Sequence, residues 1–473
     1  MKRTALLTLL FFTILTSYVS AQTGTVCRLG FTYDISRSNN WGKEKPVVRN
    51  VIPYSSAELA GIKANDIIEA IDNIPLSEIG LDEVPQLLNP AGKSTVTLTI
   101  RNLSTPSKQV TVSKECKKAN TITEDQLAVA FGMYSLESTT EQDFICPFRT
   151  IVADTVDYGN FKTFSFASPD STSSELDAVI NKFIAKELTD RGLRQNNYQS
   201  DILVQTFYLY DKNPNYKGTN LVQVERTPIY RYDFTLSKMV KLPFYPHTTA
   251  EAEAPYILQF GIRLIDQRNI PGRVLWECEA HELMERSFKL EDYARIHVPL
   301  MCMQYPYVKY GRNVPFRMSK KIYNYTGISY DIDHLDQVAD VDRNSPAHTA
   351  GIRAKDVVER IGRHKMNHTA EEFSAAYKKF ITATMKYRDP KTTYTDVNGF
   401  SHCMFWDTFK YPMIAETFNN SDYLPAFSYL YYFAPYVNLS GNNACTFTIK
   451  RGKQKIETVV RPSIRAEQTV EIL

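Results

Sequence analysis

Beyond its first twenty residues, the 473-residue chain has no stretch approaching 18 uninterrupted apolar residues. No later segment is therefore expected to cross a membrane as a helix. Charge of one sign is also missing. Lys and Arg number 55 against 52 Asp and Glu, a formal charge of +3, which gives no electrostatic reason to expect nucleic acid or an acidic membrane as partner. Seven cysteines are present, yet none has Cys-x-x-Cys spacing and no cysteine–histidine pattern forms a zinc set. No cofactor is implied.

Catalytic patterns are equally scarce. There is no Gly-x-Ser-x-Gly elbow and no Ser/Lys pair in the context that a serine hydrolase needs. His281-Glu282-Leu283-Met284-Glu285 starts like a zinc-binding helix, but Glu285 stands where the second His should be and the stretch follows a strand; it reads as solvated surface. Ala153-Asp154-Thr155-Val156 echoes an aspartic-protease Asp-Thr-Gly loop without the Gly that turns it. The eight histidines are scattered, and the i, i+4 pair His364 and His368 flanks a turn and a helix start. No residue is assigned to catalysis and none to a metal.

Present instead is a motif that occurs twice. Residues 55–71, Ser-Ser-Ala-Glu-Leu-Ala-Gly-Ile-Lys-Ala-Asn-Asp-Ile-Ile-Glu-Ala-Ile, return at 345–361 as Ser-Pro-Ala-His-Thr-Ala-Gly-Ile-Arg-Ala-Lys-Asp-Val-Val-Glu-Arg-Ile. Nine of the 17 positions are identical and three more are Lys/Arg or Ile/Val exchanges. Small Ala57 and Ala60 (Ala347 and Ala350) suit a one-turn helix packed on a sheet. Gly61 and Gly351 fall where a helix ends in the left-handed conformation. Asp66 and Asp356 can tie down turn amides, and Ile67 to Ile71 has strand composition.

This text resembles the PDZ domain in the form common in secreted bacterial proteins, and the resemblance extends outward. Leu29-Gly30-Phe31-Thr32 and Gly327-Ile328-Ser329 resemble the carboxylate-binding loop and peptide-pairing strand. Leu81 to Leu88 and Ala370 to Tyr377 resemble the groove helix, with Val84 and Leu88, or Phe373 and Tyr377, as its apolar wall. Two modules are implied, 27–116 and 325–462, the second with an insertion at about 381–442. Three departures stand out. Asn65 and Lys355 replace the family's turn Gly, and Lys pays for a positive φ. Pro85 must shorten or kink the first groove helix.

Residues 145–310 read as a separate middle unit. Tyr158 to Phe166 is an aromatic strand, Leu176 to Arg191 an amphipathic helix ended by Gly192, and Ser200 to Tyr208, Tyr256 to Ile265 and Arg273 to Ala280 are strands. Phe161-Lys162-Thr163-Phe164, Leu188 to Gly192, Ser200 to Val204 and Val274-Leu275-Trp276-Glu277 resemble domain of unknown function 4136, a bacterial envelope domain without assigned catalysis. The expected fold class is α+β multidomain: two PDZ-like β-sandwich modules and a central α/β sandwich.

Lys2-Arg3, the apolar run Ala5 to Tyr18 and Val19-Ser20-Ala21 read as a secretory signal over 1–21. The mature chain is expected to be exported to the periplasm, the envelope or the medium, with no integral membrane segment. Cys27 and Cys116 bracket the first module, Cys146 and Cys302 the middle one, and Cys403 and Cys445 lie in the insertion. These are disulfide candidates, though six cysteines allow 15 connectivities. The implied work is non-enzymatic: capture of C-termini or extended segments of envelope proteins. The alternatives are a regulatory or substrate-recognition chain of an envelope protease, and a purely structural envelope scaffold. The C-terminal Thr469-Val470-Glu471-Ile472-Leu473 would itself suit such a groove.

Overall fold

The computed structural model describes residues 25–473 except 104–105, 128–140, 169–173, 219–227, 363, 396–398, 400, 404–405, 419 and 424–443. The signal segment lies outside the described residues. In chain order the first module comprises Phe31–Ile35 (β1), Pro46–Val51 (β2), Ser56–Leu59 (α1), Ile67–Ile71 (β3), Val84–Leu88 (α2), Thr95–Arg101 (β4) and Lys108–Ser113 (β5). After Thr121–Thr123 (β6) come Glu141–Val152 (β7), Thr163–Phe166 (β8), Ser174–Asp190 (α3), Ile202–Lys212 (β9), Tyr256–Asp266 (β10), Val274–Met284 (β11), Leu290–Cys302 (α4) and Arg312–Tyr325 (β12). The last stretch holds Ile328–Asp331 (β13), Val338–Val341 (β14), Pro346–Thr349 (α5), Val357–Ile361 (β15), Ala370–Thr384 (α6), Cys445–Arg451 (β16), Gln454–Val460 (β17) and Ser463–Ile472 (β18).

Two compact units result. One holds residues 28–115, 142–318 and 469–473; the other holds 1–27, 116–141 and 319–468. The first module and the middle segment thus share a unit, where the sequence suggested separate ones. The reason is apolar area that the small module cannot cover alone. Trp41, Val47, Ile67 and Leu103 join Tyr158, Phe161, Trp276 and Tyr305 in one continuous core. Polar contacts fix the seam: Val156 N donates to Asn40 Oδ1 at 3.0 Å, and Arg101 pairs with Asp157 at 3.3 Å.

Strands of the first module form an antiparallel sheet in the order β1-β2-β3-β4-β5. In β4 the buried Val96, Leu98 and Ile100 alternate with Thr97 and Thr99, the period-2 signature of a sheet with one buried face. An eight-stranded sheet carries the middle segment, in the order Arg194–Gln195, β8, β9, β10, β11, β7, β12, β18. Leu258, Phe260, Ile262 and Leu264 of β10 face the same side as Glu282, Ala280, Cys278 and Trp276 opposite them on β11. The helices α3 and α4 contact each other and bring Ile180, Ile184, Leu188, Tyr293 and Met301 into that core. This is a helix-on-sheet sandwich.

Several expectations are revised. Tyr158 to Asn160 is a 3-10 turn and the aromatic strand starts only at Thr163. His281 to Met284 continue β11: His281 and Glu285 are exposed as expected, but Glu282 is 3% exposed, and its carboxylate stands 3.7 Å from the buried Arg231 guanidinium. An alternating strand must turn every second residue inward, and Glu282 takes that turn. The chain's last residues form the edge strand β18, with Val470 and Ile472 packed on the core, not a free tail. Cys146 and Cys302 are buried free thiols, as is Cys445. The side chain of Cys403 lies outside those described. Cys27 and Cys116 are joined. The helix α6 runs to Thr384, into the expected insertion.

The two repeated stretches have the same local geometry. Ser55 and Ser345 cap α1 and α5 through their hydroxyls. Gly61 and Gly351 follow at φ 74° and 80°. Asp66 and Asp356 accept from the amides of Lys63 and Arg353 at 2.9 Å in both cases. The turn before each Asp holds Asn65 at φ 72° and Lys355 at φ 73°, so Lys adopts the left-handed conformation undistorted and carries its steric cost. Lys355→Gly is expected to stabilise the unit by about 1 kcal/mol, read as a higher urea midpoint. An unchanged or lower midpoint would show that the turn is not strained.

Candidate peptide grooves

In the first module, β1 lies at the end of its sheet and, among the described residues, pairs only with β2. Its entry is set by Gly30 at φ 86°, where a Cβ would meet the Ser55 Cβ at 2.3 Å. Ser55 Oγ and Ile52 N both donate to the Gly30 carbonyl, at 3.1 and 2.8 Å. The carbonyl is thereby tied inward. For the amides of Leu29 and Gly30 no hydrogen-bond acceptor is found among the described residues. Leu29 and Phe31 are half-buried on the module's core, and Thr32 is exposed.

The expected apolar wall does not form as read from the sequence. Val84 is 1% and Leu88 5% exposed, both inside the core. The helix α2 starts at Val84, so Pro85 sits in its first turn and the helix is only five residues long. Its i, i+4 face turns inward, leaving half-buried Ile79 and Leu87 with Phe31 as the apolar surface. Beyond the far end of β1, Ile35, Ser36, Arg37, Lys43, Glu44 and Leu81 line a cavity of about 410 Å³.

The second repeat has the same entry, but its strand edge is covered by another segment of the chain. Gly327 sits at φ 85°, and a Cβ there would meet the Ser345 Cβ at 2.3 Å. Here β13 lies between β14 and β6. β6 runs antiparallel to it, with Thr123 opposite Ser329, Ile122 opposite Tyr330 and Thr121 opposite Asp331. At the loop, Thr326 N and Gly327 N donate to Glu124 Oε2 at 2.8 and 3.0 Å, and the Thr326 hydroxyl donates to Oε1. Burial pushes the Glu124 carboxyl up to about 7 against the pull of these three donors. Residues 124–127 make a helical turn, and Leu127, 2% exposed, joins Ile328, Tyr330 and Phe380 in the core.

On α6 the inward residues are Ala376 and Phe380, whereas Tyr377 is 36% exposed; the Phe373 side chain lies outside those described. Sequence reading named Gly30, Phe31, Gly327, Ile328 and Ser329, which lie on the two entry loops and the strands that follow them. It missed the occupant Thr121 to Leu127, whose only sequence signal was an acceptor-bearing residue in an alternating polar–apolar stretch.

No metal-binding group of three or more His, Cys, Asp and Glu side chains occurs among the described residues, and none of their helices is long and apolar enough to cross a membrane. Arg231, Glu282, Tyr293 and His297 lie together only as core: each is at most 4% exposed, so a substrate could not reach them in this conformation.

The PDZ domain model matches residues 19–101, and the domain of unknown function 4136 model matches residues 149–307. A solved structure of a PDZ domain protein from Parabacteroides distasonis is 66% identical, covers 95% of this chain and 100% of that one, and has a TM-score of 0.78. A PelC dodecamer from Paraburkholderia phytofirmans is 13% identical over 36% of this chain and all of that one, with a TM-score of 0.18. A photosystem II D1 C-terminal processing protease is 14% identical over 41% of this chain and 50% of that one, also at 0.18. The last two likenesses carry no argument. No curated protein matches the chain.

Proposed function

The chain belongs to the PDZ domain proteins, and from that premise we propose that its first module captures extended peptide segments, C-termini above all, in the cell envelope of an exporting bacterium. One observation carries this reading: β1 is an edge strand whose entry loop offers the Leu29 and Gly30 amides without an acceptor among the described residues. An extended chain added to that edge would pair with Phe31 to Ile35 by backbone hydrogen bonds. Its terminal carboxylate would take the two amides as an anion nest. Phe31, Ile79 and Leu87 offer the apolar contact for its last side chain.

The signal-like segment at 1–21 and the oxidised Cys27–Cys116 pair support export, since such a bridge persists in an oxidising compartment. The second repeat, 325–462, is read as a second PDZ-like module. No catalytic role is proposed, and the domain of unknown function 4136 segment acts as the support on which the first module is mounted.

The test is a peptide array probed with the mature protein and with Phe31→Asp. An unpaired charge at the mouth of the groove should cost several kcal/mol of binding, more than a hundredfold in affinity, with unfolding of the rest unchanged. Equal retention by both proteins would remove the first groove from consideration and favour the scaffold reading.

A further inference from the structure

We infer that the second groove is a binding site for a carboxylate-ended extended segment and is held occupied by the chain's own residues Thr121 to Leu127, so that an outside C-terminus enters only by displacing them. The inference rests on reading the second repeat as a peptide groove, and it adds both the ligand chemistry and the competitor.

The geometry supports each part. A peptide C-terminus presents a β-strand, a carboxylate and a last side chain. The occupant supplies all three from within the chain. β6 pairs antiparallel with β13, so that its C-terminal end reaches the Gly327 loop. Glu124 sets a carboxylate on the Thr326 and Gly327 amides, the equivalents of Leu29 and Gly30. Leu127, three residues on in a helical turn and hence on the same face as Glu124, supplies the apolar side chain to the core beside Ile328. A true C-terminus carries carboxylate and side chain on one Cα, so it can satisfy the same loop with one residue.

Contacts from the residues just before it anchor the occupant's N-terminal end. Lys118 Nζ donates to the Ala339 carbonyl at 3.1 Å and Asn120 Nδ2 to Asp333 at 2.9 Å. Lys117 pairs with Asp342, which also accepts from the Tyr325 hydroxyl. Thr–Ile–Thr is a sequence of high strand propensity, and its Ile122 packs on the module's core. Because the segment is tethered, its effective concentration is of millimolar order, and a free peptide of micromolar intrinsic affinity would bind weakly at best. The ligand class follows from the occupant: a run of β-branched residues, as in Thr121-Ile122-Thr123, then a terminal Leu or Ile with a free carboxylate.

The probe is a fluorescein-labelled Thr-Ile-Thr-Leu peptide with a free C-terminus, with its C-terminal amide as control. Binding is measured by anisotropy in a Phe31→Asp background, which silences the first groove. Glu124→Ala should bind the acid form at least tenfold more tightly than the protein with Glu124 intact, and should not bind the amide. Equal affinity of the two proteins for the acid would overturn the inference. Should Glu124→Ala fail to fold, hydrogen exchange on the unaltered chain decides. Excess peptide acid is expected to expose the amides of residues 121–123 while 329–331 stay protected; protection retained at both would overturn it. Failure of the first-groove reading is separate, since it would appear as peptide binding unaffected by Phe31→Asp alone.

Discussion

Arg231→Met is expected to destabilise the unit holding residues 142–318 by about 3–5 kcal/mol, the usual cost of leaving one member of a buried ion pair without its partner. Glu282 is turned into the core by the alternation of β11, where it stands 3.7 Å from Arg231. Its Oε1 has no hydrogen-bond partner among the described residues, nor does Nε2 of the neighbouring core residue His297. Burial pushes the Glu282 carboxyl up from its ordinary 4.5 to about 7, with Arg231 pulling it down. The native state therefore binds a proton more readily than the unfolded chain does. Stability from this group is present in full below about pH 4.5 and is lost as pH rises through about 7.

His297 works in the opposite sense, because burial lowers it to about 3 and keeps the ring neutral. It weakens the fold as pH falls below 6.5, and less so without Arg231, whose charge adds to burial in lowering it. The variant should accordingly be hurt more at pH 8 than at pH 5, since protonation relieves the orphaned carboxylate. Arg231→Met with Glu282→Leu should recover most of the loss. Urea unfolding at the two pH values reads both effects, and a pH-independent penalty with no rescue in the double variant would show that Glu282 is not the charge concerned.

Replacing Cys27 and Cys116 together by Ser is expected to cost about 4–5 kcal/mol, the chain entropy released when a crosslink over 89 positions is opened. The loop that this bridge closes is the first module itself, residues 28–115. Reduction of the unaltered protein should lower the denaturant midpoint by the same amount, and mild reductant should have no further effect on the double Ser variant. The buried thiols do not substitute for the lost bridge. Burial raises the thiol pKa of Cys146 and Cys302 to about 12 and that of Cys445 to about 11, and raises Cys278 as well, so at neutral pH they stay protonated and unreactive. Rapid alkylation of these four cysteines in the native protein would contradict that account, and an unchanged midpoint on reduction would dispose of the stabilising bridge.

What the sequence determined by itself is local. Gly61 and Gly351 mark left-handed turns because Gly takes them without strain, and both are found there. Asp66 and Asp356 tie down turn amides, as their short acceptor side chains suggest. The helix ended by Gly192 and the strands β9, β10 and β11 follow from periodicity within short windows. Those windows sufficed for the mixed α+β class, whereas the PDZ-like first module and the domain of unknown function 4136-like segment came from motif resemblance.

Tertiary structure decided everything that joins distant residues. Nothing in the text near Trp41 announced that it would be covered by Tyr158 and Trp276. Whether α2 turns Val84 and Leu88 to the groove or to the core depended on its length and on the sheet beneath it, not on their hydrophobicity. The His281 to Glu285 stretch was read as surface because its composition is polar, yet strand alternation carried Glu282 inward to Arg231. The occupant of the second groove was invisible for the same reason. Thr121-Ile122-Thr123-Glu124 has ordinary composition, and it meets β13 only because the fold lays it there, with the Glu124 carboxylate on the Thr326 and Gly327 amides 202 and 203 positions away.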